Sequence, residues 1–566
     1  MPQIVDLKKK PFYLNNTEIA WIEDTINRMT TKEKIGQLFL HLFDNVSSYD
    51  DRKIKEFLDK YPVGGARYES AHSSEVQSFI NRLQKNSKIP LLVAANCDAG
   101  GNGACTDGTY VASGAHVEAA NSENVAYNVG YVSGKESTAL GVNWNFDPCV
   151  DILKNWRNTI INTRAYGSNA NNVIKHTDNY IKGLTQNNIL PCIKHFPGDG
   201  VEEADQHLQL GVNDLSVDEW DNSFGKVYKH YIDKGIPSIM SGHIALPHYQ
   251  KYLTPGLRDE DVLPASIAPE LINDLLKEKL NFNGLVVTDA SHMIGLAASM
   301  KRKDYVPRAI AAGCDMFLFF NDTEEDFQFM LDGYYEGVIT DERLYDALRR
   351  ILGMKVLLGL PTQKQDNKLI SCSEKLSVIG SKTHKYMAEK AADLGITLVK
   401  NTKKELPINP NTHKRAKLYW ITNDDVKSKE IRNKVIKELE NAGFIVTLHT
   451  DNKRSKGKIK NMSRYYDVAF VFADIQSYAI ENNVRINWGV STSNQIPWYI
   501  HEIPTIFVSL NYTTHLTDVP MVKNYINAYK NTSEIIHQTI KKIVGDSDFK
   551  GTYNENVFCN KWSAKL

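Results

Sequence analysis

Short apolar runs alternate with amphipathic helical stretches between residues 61 and 320 of the chain. Continuous apolar strands joined through helices indicate a parallel sheet that is buried on both faces. Seven or eight such units in roughly 300 residues fit a TIM-like (β/α)8 barrel. A doubly wound open sheet is the alternative, but no Gly-x-Gly-x-x-Gly turn follows the first strand to support it. The runs predict strands at 62–68, 90–98, 141–151, 189–195, 236–243, 284–291 and 314–320.

Two helices are predicted ahead of the first of these strands. Trp21, Ile22, Ile26 and Met29 recur at helical spacing and indicate the first helix. A Thr N-cap then begins a second helix, which the pattern places at 29–39.

A second alternation of apolar and helical segments starts near residue 376. The stretch before it is polar and has no periodicity, as is typical of a linker. The remaining part, of about 190 residues, has an ordinary domain size, and its pattern predicts an α/β open sheet. We therefore predict a TIM-like catalytic barrel at 1–357, a linker at 358–375 and a smaller C-terminal α/β sandwich domain at 376–566. In this last domain we expect strands at 395–401, 417–423, 444–450, 468–474 and 504–510 and helices at 428–442 and 494–502.

Composition and charge exclude several classes of function. Lys plus Arg and Asp plus Glu both number 67, so the net charge is zero, which argues against a nucleic-acid partner. The N-terminal segment lacks the apolar core of a secretory signal, and no apolar run approaches the ~20 residues that span a bilayer. The seven cysteines are scattered without a Cys-x-x-Cys pair. We therefore expect no disulfide framework, no metal, no cofactor and a cytoplasmic location.

Ionisable residues stand at the ends of five predicted strands. In barrel enzymes the carboxyl ends of the strands form the active-site face, so these side chains are expected to converge there. One such ending could be accidental, whereas five on different strands form a pattern that a purely structural barrel would not need. For each of these residues other than Asp289, a structural ion pair is an equal alternative. The residues are Asp98, Asp151, the pair Lys194 and His195, His243, and Asp289.

The most informative stretch is 193–207, which reads IKHFPGDGVEEADQH. A buried strand leads there into a polar loop with histidines, a lysine and several carboxylates, which is typical of an active-site loop on a rigid strand. The pattern Lys-His-Phe-Pro-Gly followed by Asp-x-His resembles the β-N-acetylglucosaminidases of glycoside hydrolase family 3. Segments at 396–408 and 516–529 extend the resemblance into the second domain. The Phe196–Pro197 bond is a candidate cis peptide.

The resemblance implies a retaining glycosidase with an unusual acid/base. Asp289, in the run LVVTDA, matches the nucleophile of the family, and its alternative role is to cap the next helix. In this branch the acid/base is a histidine on a mobile loop, paired with an aspartate two residues earlier, and Asp205 and His207 match that spacing. Asp205 can fix the imidazole tautomer and leave the other nitrogen to exchange a proton. Gln206 replaces the usual Ser, and Asp199 stands where His is commoner.

The resemblance also implies which residues bind the sugar. The set expected to bind the ring hydroxyls is Asp98, Arg164, Lys194 and His195. His243 is expected to line the same pocket. Two roles stay open for Asp151, which is either a substrate ligand or a structural carboxylate.

Together these residues predict a retaining exo-β-N-acetylglucosaminidase that removes terminal β-linked GlcNAc from small saccharides or cell-wall fragments. A β-glucosidase or β-xylosidase of the same fold is one alternative and would need a glutamate acid/base, for which Glu481 is available. A β-N-acetylglucosaminide phosphorylase is another, because a neutral histidine does not repel phosphate as a carboxylate would. A non-catalytic sugar-binding protein is the third. The sequence leaves the aglycone and the oligomeric state open.

Overall fold

The computed structural model describes residues 4–450, 462–476, 482–489 and 493–566. The chain forms two compact units, and each unit combines several segments of the sequence. The first unit comprises Met1–Thr109, Ala126–Ile152 and Asn169–Lys382, and the second comprises Tyr110–Val125, Leu153–Ser168 and Thr383–Leu566. The domain boundaries at 357 and 376 stay a prediction. Inside the predicted linker, residues Leu360–Gln365 form a helix.

Eight parallel strands close into a barrel in the first unit. Each strand pairs with the next along the chain, and the last pairs with the first through Phe39 opposite Phe317. The predicted TIM-like barrel is therefore confirmed. The strands are β1 Phe39–Phe43, β2 Gly65–Tyr68, β3 Leu92–Ala95, β4 Trp144–Asn145, β5 Leu190–Phe196, β6 Ser238–Ser241, β7 Leu285–Ala290 and β8 Met316–Leu318.

The first strand differs from the sequence prediction. The helix predicted at 29–39 is shorter in the structure, where it spans Thr31–Gln37, and β1 begins after a single intervening residue. Ile35, Leu38 and Phe39 are all buried, so one apolar run spans the end of the helix and the start of the strand. A short apolar run does not by itself distinguish the last turn of a helix from the start of a strand.

Helices pack against the barrel, which is why its strands are apolar on both faces. All four residues of β3 are buried, and in β7 only the last two, Asp289 and Ala290, are half-buried. None of the helices in the described part of the chain is long and apolar enough to cross a membrane. A short parallel ribbon joins Gly211–Val212 to Ile244–Ala245. The helices of this unit are Asn16–Arg28, Thr31–Gln37, Asp51–Lys60, Ser73–Asn86, Glu123–Leu140, Ala170–Thr185, Val217–Trp220, Lys226–Lys234, Pro247–Leu253, Ile294–Ala297, Arg302–Ala311, Thr323–Tyr335, Asp341–Leu357 and Leu360–Gln365, with π-helical stretches at Asp221–Gly225 and Glu270–Lys279.

The second unit is built on six strands, β9 Thr397–Asn401, β10 Arg415–Thr422, β11 Ile445–Leu448, β12 Val468–Asp474, β13 Thr505–Ser509 and β14 Asn524–Asn527. They form one open sheet in the order β9-β14-β13-β12-β10-β11, in which β9 is antiparallel to β14 and the other described pairs are parallel. The predicted α/β open-sheet domain is therefore confirmed. The helices are Gly114–Ala120, Lys382–Gly395, Asp425–Asn441 and Ser533–Val544.

Two details of this second unit differ from the sequence prediction. Strand β14 was not predicted, because its four residues, Asn-Tyr-Ile-Asn, mix polar and apolar side chains that are all buried. The helix predicted at 494–502 is wrong, since that segment forms turns. Pro497 lies in its middle, and a proline inside a helix removes a hydrogen bond and clashes with the preceding turn.

The two faces of strand β12 pack into the two apolar clusters that form the core of the second unit. Val468, Phe470 and Phe472 pack in one apolar cluster, while the alternate residues Ala469 and Val471 pack in another. Successive side chains of a strand point to opposite faces, so both faces of this sheet are buried.

A buried lysine opposes the stability of the first unit. Lys355, in the helix Asp341–Leu357, is fully buried, and its Nζ donates a hydrogen bond to Gln37 Oε1 at 2.6 Å. Among the described residues, no carboxylate lies within ion-pair distance of it. Burial lowers the pKa of Lys355 to about 7.

Replacing Lys355 by Met should therefore stabilise the protein at neutral pH and flatten the pH dependence of stability. The unfolded side chain has an ordinary pKa of about 10.4, whereas the folded one has a pKa of about 7. Between these values the unfolded state binds a proton that the folded state does not. Wild-type stability should accordingly rise with pH by up to about 1.4 kcal/mol per pH unit relative to the variant.

Chemical denaturation across this pH window measures the effect. Lys303→Met is the control, since Lys303 is exposed and its replacement should leave the pH dependence unchanged. A constant difference between wild type and Lys355→Met at every pH would contradict the prediction.

Candidate active site

Asp289 and His195 meet at the carboxyl ends of β7 and β5. The Asp289 carboxylate accepts the backbone N–H of Ala290 at 2.8 Å, and the Nε2 of His195 lies 3.9 Å from Asp289 Oδ2. Burial opposes ionisation of this carboxyl, but positive charge on His195, His243 and His207 outweighs burial and holds its pKa below the ordinary value. Its side chain is 14% exposed, so an ionised Asp289 can be reached by a ligand.

His195 is held in place by the buried carboxylate of Asp151. Asp151 Oδ2 accepts hydrogen bonds from His195 Nδ1 at 2.7 Å and from the Cys149 thiol at 3.1 Å. Asp151 Oδ1 accepts the backbone N–H groups of His195 at 3.2 Å and of Asp199 at 2.8 Å. Because a carboxylate only accepts, the proton lies on Nδ1, and the Nε2 of His195 faces the nucleophile candidate. These four donors favour the structural role for Asp151.

Lys194 lies between two carboxylates. Its Nζ is 2.8 Å from Asp147 Oδ1 and 3.3 Å from Asp98 Oδ1. Lys194 and Asp147 are buried, whereas the Asp98 side chain is 30% exposed. Two predicted sugar ligands are thus brought together, Asp98 from the segment after β3 and Lys194 from the C-terminal half of β5.

Asp205 and His207 form the pair that the sequence predicts. Asp205 Oδ1 accepts a hydrogen bond from His207 Nδ1 at 2.7 Å and a second from the backbone N–H of His207 at 2.9 Å. Asp205 is buried, while the His207 side chain is 31% exposed. The carboxylate keeps the proton on Nδ1, so Nε2 is the nitrogen that a ligand can approach.

The loop that carries this pair is docked against the helix that follows β7. Ile294 and Gly295 donate backbone N–H bonds to the carbonyls of His207 and Gln206, each at 3.1 Å. The Gln206 side chain also accepts the backbone N–H of His243 at 2.7 Å. The acid/base candidate is therefore anchored beside the strand that carries the nucleophile candidate.

The loop leaves β5 through backbone conformations that require glycine. Gly198 and Gly200 have φ values of 122° and 102°. A Cβ on Gly198 would lie 2.1 Å from the Phe224 ring, so a side chain is also excluded by space. The Phe196–Pro197 peptide is cis, which confirms that prediction.

His243 lies beneath the site with both ring nitrogens engaged. Its Nδ1 is 2.8 Å from Ser266 Oγ, and its Nε2 donates to the Ala290 carbonyl at 3.0 Å. Burial lowers the pKa of His243 against the opposing charge of Asp289. His243 therefore supports the end of β7 through its bond to the Ala290 carbonyl, and its predicted place in the wall of the pocket stays a prediction.

The chain is similar to known proteins over its whole length. It is 36% identical to a β-N-acetylglucosaminidase/β-glucosidase of Cellulomonas fimi over 573 residues, which cover all of both chains. Residues 30–354 match the model of the glycosyl hydrolase family 3 N-terminal domain. The chain belongs to glycosyl hydrolase family 3.

Two solved structures share the fold of this chain. The β-glucoside phosphorylase BglX is 36% identical, and its structure superposes with a TM-score of 0.92 over 99% of each chain. A family 3 β-N-acetylglucosaminidase from Paenibacillus sp. str. FPU-7 is 21% identical with a TM-score of 0.78, over 93% of this chain and 98% of that one, and it supports the fold alone. The chain is therefore a family 3 glycoside hydrolase in its fold and enzyme class.

Two residues predicted for this family 3 enzyme are not among the barrel residues described above. Arg164 belongs to Leu153–Ser168, a segment of the second unit, where its backbone N–H bonds the Ile161 carbonyl at 3.0 Å. Its predicted contact with sugar stays a prediction. Glu481 falls outside the described residues.

Four residues around the site were missed by sequence reasoning. Asp147 and Cys149 lie within the same short segment as Asp151, and only the fold reveals which carboxylate each one meets. Gln206, in the dyad loop, anchors the loop through both its carbonyl and its side chain. His292 lies three residues after Asp289 and its surface is exposed. Partial burial of its ring and the charge of His207 lower the pKa of His292. The sequence signal that could have identified His292 was its position close to the strand-end carboxylate Asp289.

One group of side chains in the described residues has the atoms to hold a metal. Ligand atoms of Cys149, Asp151 and His195 lie within 4.8 Å of one another, and all three residues are buried. The Asp151 oxygens already accept four hydrogen bonds from N–H and S–H donors, so we interpret the group as the support of His195. The absence of a metal requirement stays a prediction.

Gly295→Ala should displace the dyad loop and slow turnover. A Cβ at this position would lie 2.8 Å from the Gln206 carbonyl oxygen and 3.0 Å from that of Gln209, so the loop must move. Misplacing a catalytic group by about 1 Å can cost up to roughly a hundredfold in rate. We expect kcat for a chromogenic β-glycoside to fall by about tenfold or more, and proteases to cleave the loop faster.

Gly489→Ala is the matched control, because a Cβ there meets no heavy atom within 4 Å. Wild-type activity and wild-type protease resistance in Gly295→Ala would show that the loop is not held by this contact.

Proposed function

We propose that this family 3 enzyme is a retaining exo-β-N-acetylglucosaminidase acting on small saccharides or cell-wall fragments. The observation that carries the proposal is the combination of an accessible, ionised Asp289 with His207, whose Nδ1 is bound by Asp205 on a loop anchored beside β7. A carboxylate nucleophile and a proton donor near it are the two groups that retaining hydrolysis needs.

In the proposed first step, an oxygen of Asp289 attacks the anomeric carbon as the bond from that carbon to the leaving oxygen breaks. The Nε2–H of a protonated His207 supplies the proton to the leaving oxygen, while Asp205 stabilises the imidazolium through Nδ1. In the second step, the now neutral His207 takes a proton from water as the water oxygen attacks the same carbon. Asp289 leaves as a carboxylate, so charge and protons balance over the cycle.

Other strand-end residues supply the proposed binding of the sugar. Asp98 can accept a hydrogen bond from a sugar hydroxyl, and Lys194 beside it can donate one. His195, fixed by Asp151, presents Nε2 on the same side as Asp289. Preference for GlcNAc is supported by the Asp-x-His dyad and by the Cellulomonas fimi relative, whose name joins β-N-acetylglucosaminidase and β-glucosidase activities.

Phosphorolysis of a β-glycoside is the second candidate function. The 36% identical solved structures are named as a β-glucoside phosphorylase. A neutral imidazole at the acid/base position does not repel a phosphate dianion, whereas a carboxylate there would. Only the second step differs, since a phosphate oxygen would then attack the anomeric carbon in place of water.

His207→Ala should slow substrates with poor leaving groups far more than activated aryl glycosides. An activated leaving group departs with little protonic help, so losing the acid costs it less, and general acid assistance is typically worth about 10²–10⁴-fold. Asp205→Asn should give a smaller loss in the same direction, because it misorients the imidazole without removing it. Steady-state kinetics on a series of aryl β-GlcNAc substrates measures the dependence.

His248→Ala is the matched control, because His248 is an exposed histidine on the helix Pro247–Leu253 and its loss should leave both substrate types unaffected. Asp289→Ala should abolish turnover of every substrate. Equal slowing of good and poor leaving groups in His207→Ala would refute the acid/base assignment.

Phosphate should distinguish the two candidate reactions. A hydrolase should release free sugar at a rate that does not change when phosphate replaces sulfate at constant ionic strength. A phosphorylase should turn over faster in phosphate and release a sugar 1-phosphate, which phosphorus NMR detects directly. Product identity in this pair of buffers decides between them.

A further inference from the structure

Asp147 is a buried carboxyl group that the proposed mechanism does not use. It lies two residues beyond β4 and is fully buried, as is Lys194 beside it. Its neighbour Asp98 is partly exposed and is the member of this cluster that a sugar could contact. Two carboxyl groups therefore share one ammonium group at the base of the candidate sugar site.

Asp151, in the same segment as Asp147, is a buried aspartate whose two oxygens are both well supplied with hydrogen-bond donors. Asp151 accepts four hydrogen bonds, from two backbone N–H groups, an imidazole N–H and a thiol. Asp147 has one such donor, the Lys194 ammonium group, whose Nζ lies 2.8 Å from Asp147 Oδ1 and 3.3 Å from Asp98 Oδ1. One ammonium group therefore faces two carboxyl groups, and two negative charges buried against a single positive charge are strongly disfavoured.

Asp98 and Asp147 both lie against the Lys194 ammonium group, and the interaction between the two carboxyl groups raises the pKa of Asp147. Two carboxyl groups can hydrogen-bond each other only when one of them carries a proton, because an ionised carboxylate has nothing to donate. Asp147 is the more buried of the two, so the proton belongs on it.

We propose that Asp147 is a positioning residue that stays protonated and donates its O–H to Asp98, which fixes the orientation of Asp98 toward a sugar hydroxyl. Oδ1 of Asp147 then faces the Lys194 ammonium group, and the single remaining negative charge on Asp98 balances Lys194. The inference rests on the proposed function only in giving Asp98 and Lys194 the role of sugar ligands.

The electrostatics of the cluster agree with this arrangement. Burial and the charge of Asp98 raise the pKa of Asp147 well above its usual range, against the opposing charge of Lys194. The other groups that face the cluster are the buried thiols of Cys97 and Cys192, both of which interact with Asp147. Arg67, on β2, acts on the Cys97 thiol and adds a cation at the edge of the cluster.

Replacing Asp147 by Leu and by Asn separates a protonated role from an ionised one. Asp147→Leu removes the hydrogen bond to Asp98 and should raise KM for an aryl β-GlcNAc or β-glucoside by about tenfold or more, as expected for one hydrogen bond to a charged group. Asp147→Asn offers an N–H to Asp98 and an oxygen to Lys194, as the protonated acid does. It should recover KM to within a few-fold of wild type near neutral pH.

The pH profile provides a readout that a merely structural role would not move. Wild-type KM should rise at alkaline pH as Asp147 loses its proton, and Asp147→Asn should lack this rise. Asp98→Asn should raise KM at every pH, because it removes the ligand itself. If KM in Asp147→Asn is as high as in Asp147→Leu, Asp147 is ionised and the proposal is overturned.

An infrared difference spectrum tests the proton without substrate. Wild type minus Asp147→Asn should contain the C=O stretch of a protonated carboxyl group near neutral pH, and its absence would overturn the proposal. If the wild-type enzyme turned over no β-glycoside at all, the proposed function would fail, while the spectrum would still decide the state of Asp147.

Discussion

Four hydrogen bonds converge on the buried carboxylate of Asp151, and they tie the segment after β4 to the end of β5 and to the start of the dyad loop. The imidazole of His195 can face Asp289 only because its other nitrogen is bound there. The same carboxylate anchors Asp199, from which the chain continues into the loop that carries Asp205 and His207. The imidazole that faces the nucleophile candidate and the loop that carries the acid/base candidate therefore both depend on this one buried carboxyl group.

The site places its aspartates in different environments. The Asp151 oxygens accept four hydrogen bonds, and the neighbouring histidines hold the pKa of Asp289 below its ordinary value. Asp147 has neither many donors nor a cation of its own, and a second carboxyl group lies beside it. Environment, more than residue identity, thus sets the proposed role of each aspartate, with Asp289 as nucleophile, Asp151 as support and Asp147 as hydrogen-bond donor.

Much of this architecture was predictable because the barrel strands are continuous apolar runs ending in polar residues, a signal that does not depend on distant contacts. Strands β1 and β14 were not predicted. The apolar run of β1 continues directly from a helix, and β14 buries polar side chains. Asp98, Lys194 and Asp289 were predicted from their strand-end positions, and the structure brings the first two together. Asp147 was not predicted, because its neighbour Asp98 follows β3 and its neighbour Lys194 lies on β5, and only the closed barrel brings them together. Arg164 was predicted as a sugar ligand from the family resemblance, and in the structure it belongs to the second compact unit.

The order of strands in the barrel has a consequence for how the protein is made. Seven of the eight pairings join strands that follow each other in the chain, but the eighth joins Phe39 to Phe317. A ribosome must therefore deliver almost the whole first unit before β1 finds its second neighbour. Until then β1 presents an unpaired edge of apolar residues, the kind of surface that aggregates or recruits chaperones. The same closure that removes every edge from the finished barrel makes its synthesis vulnerable.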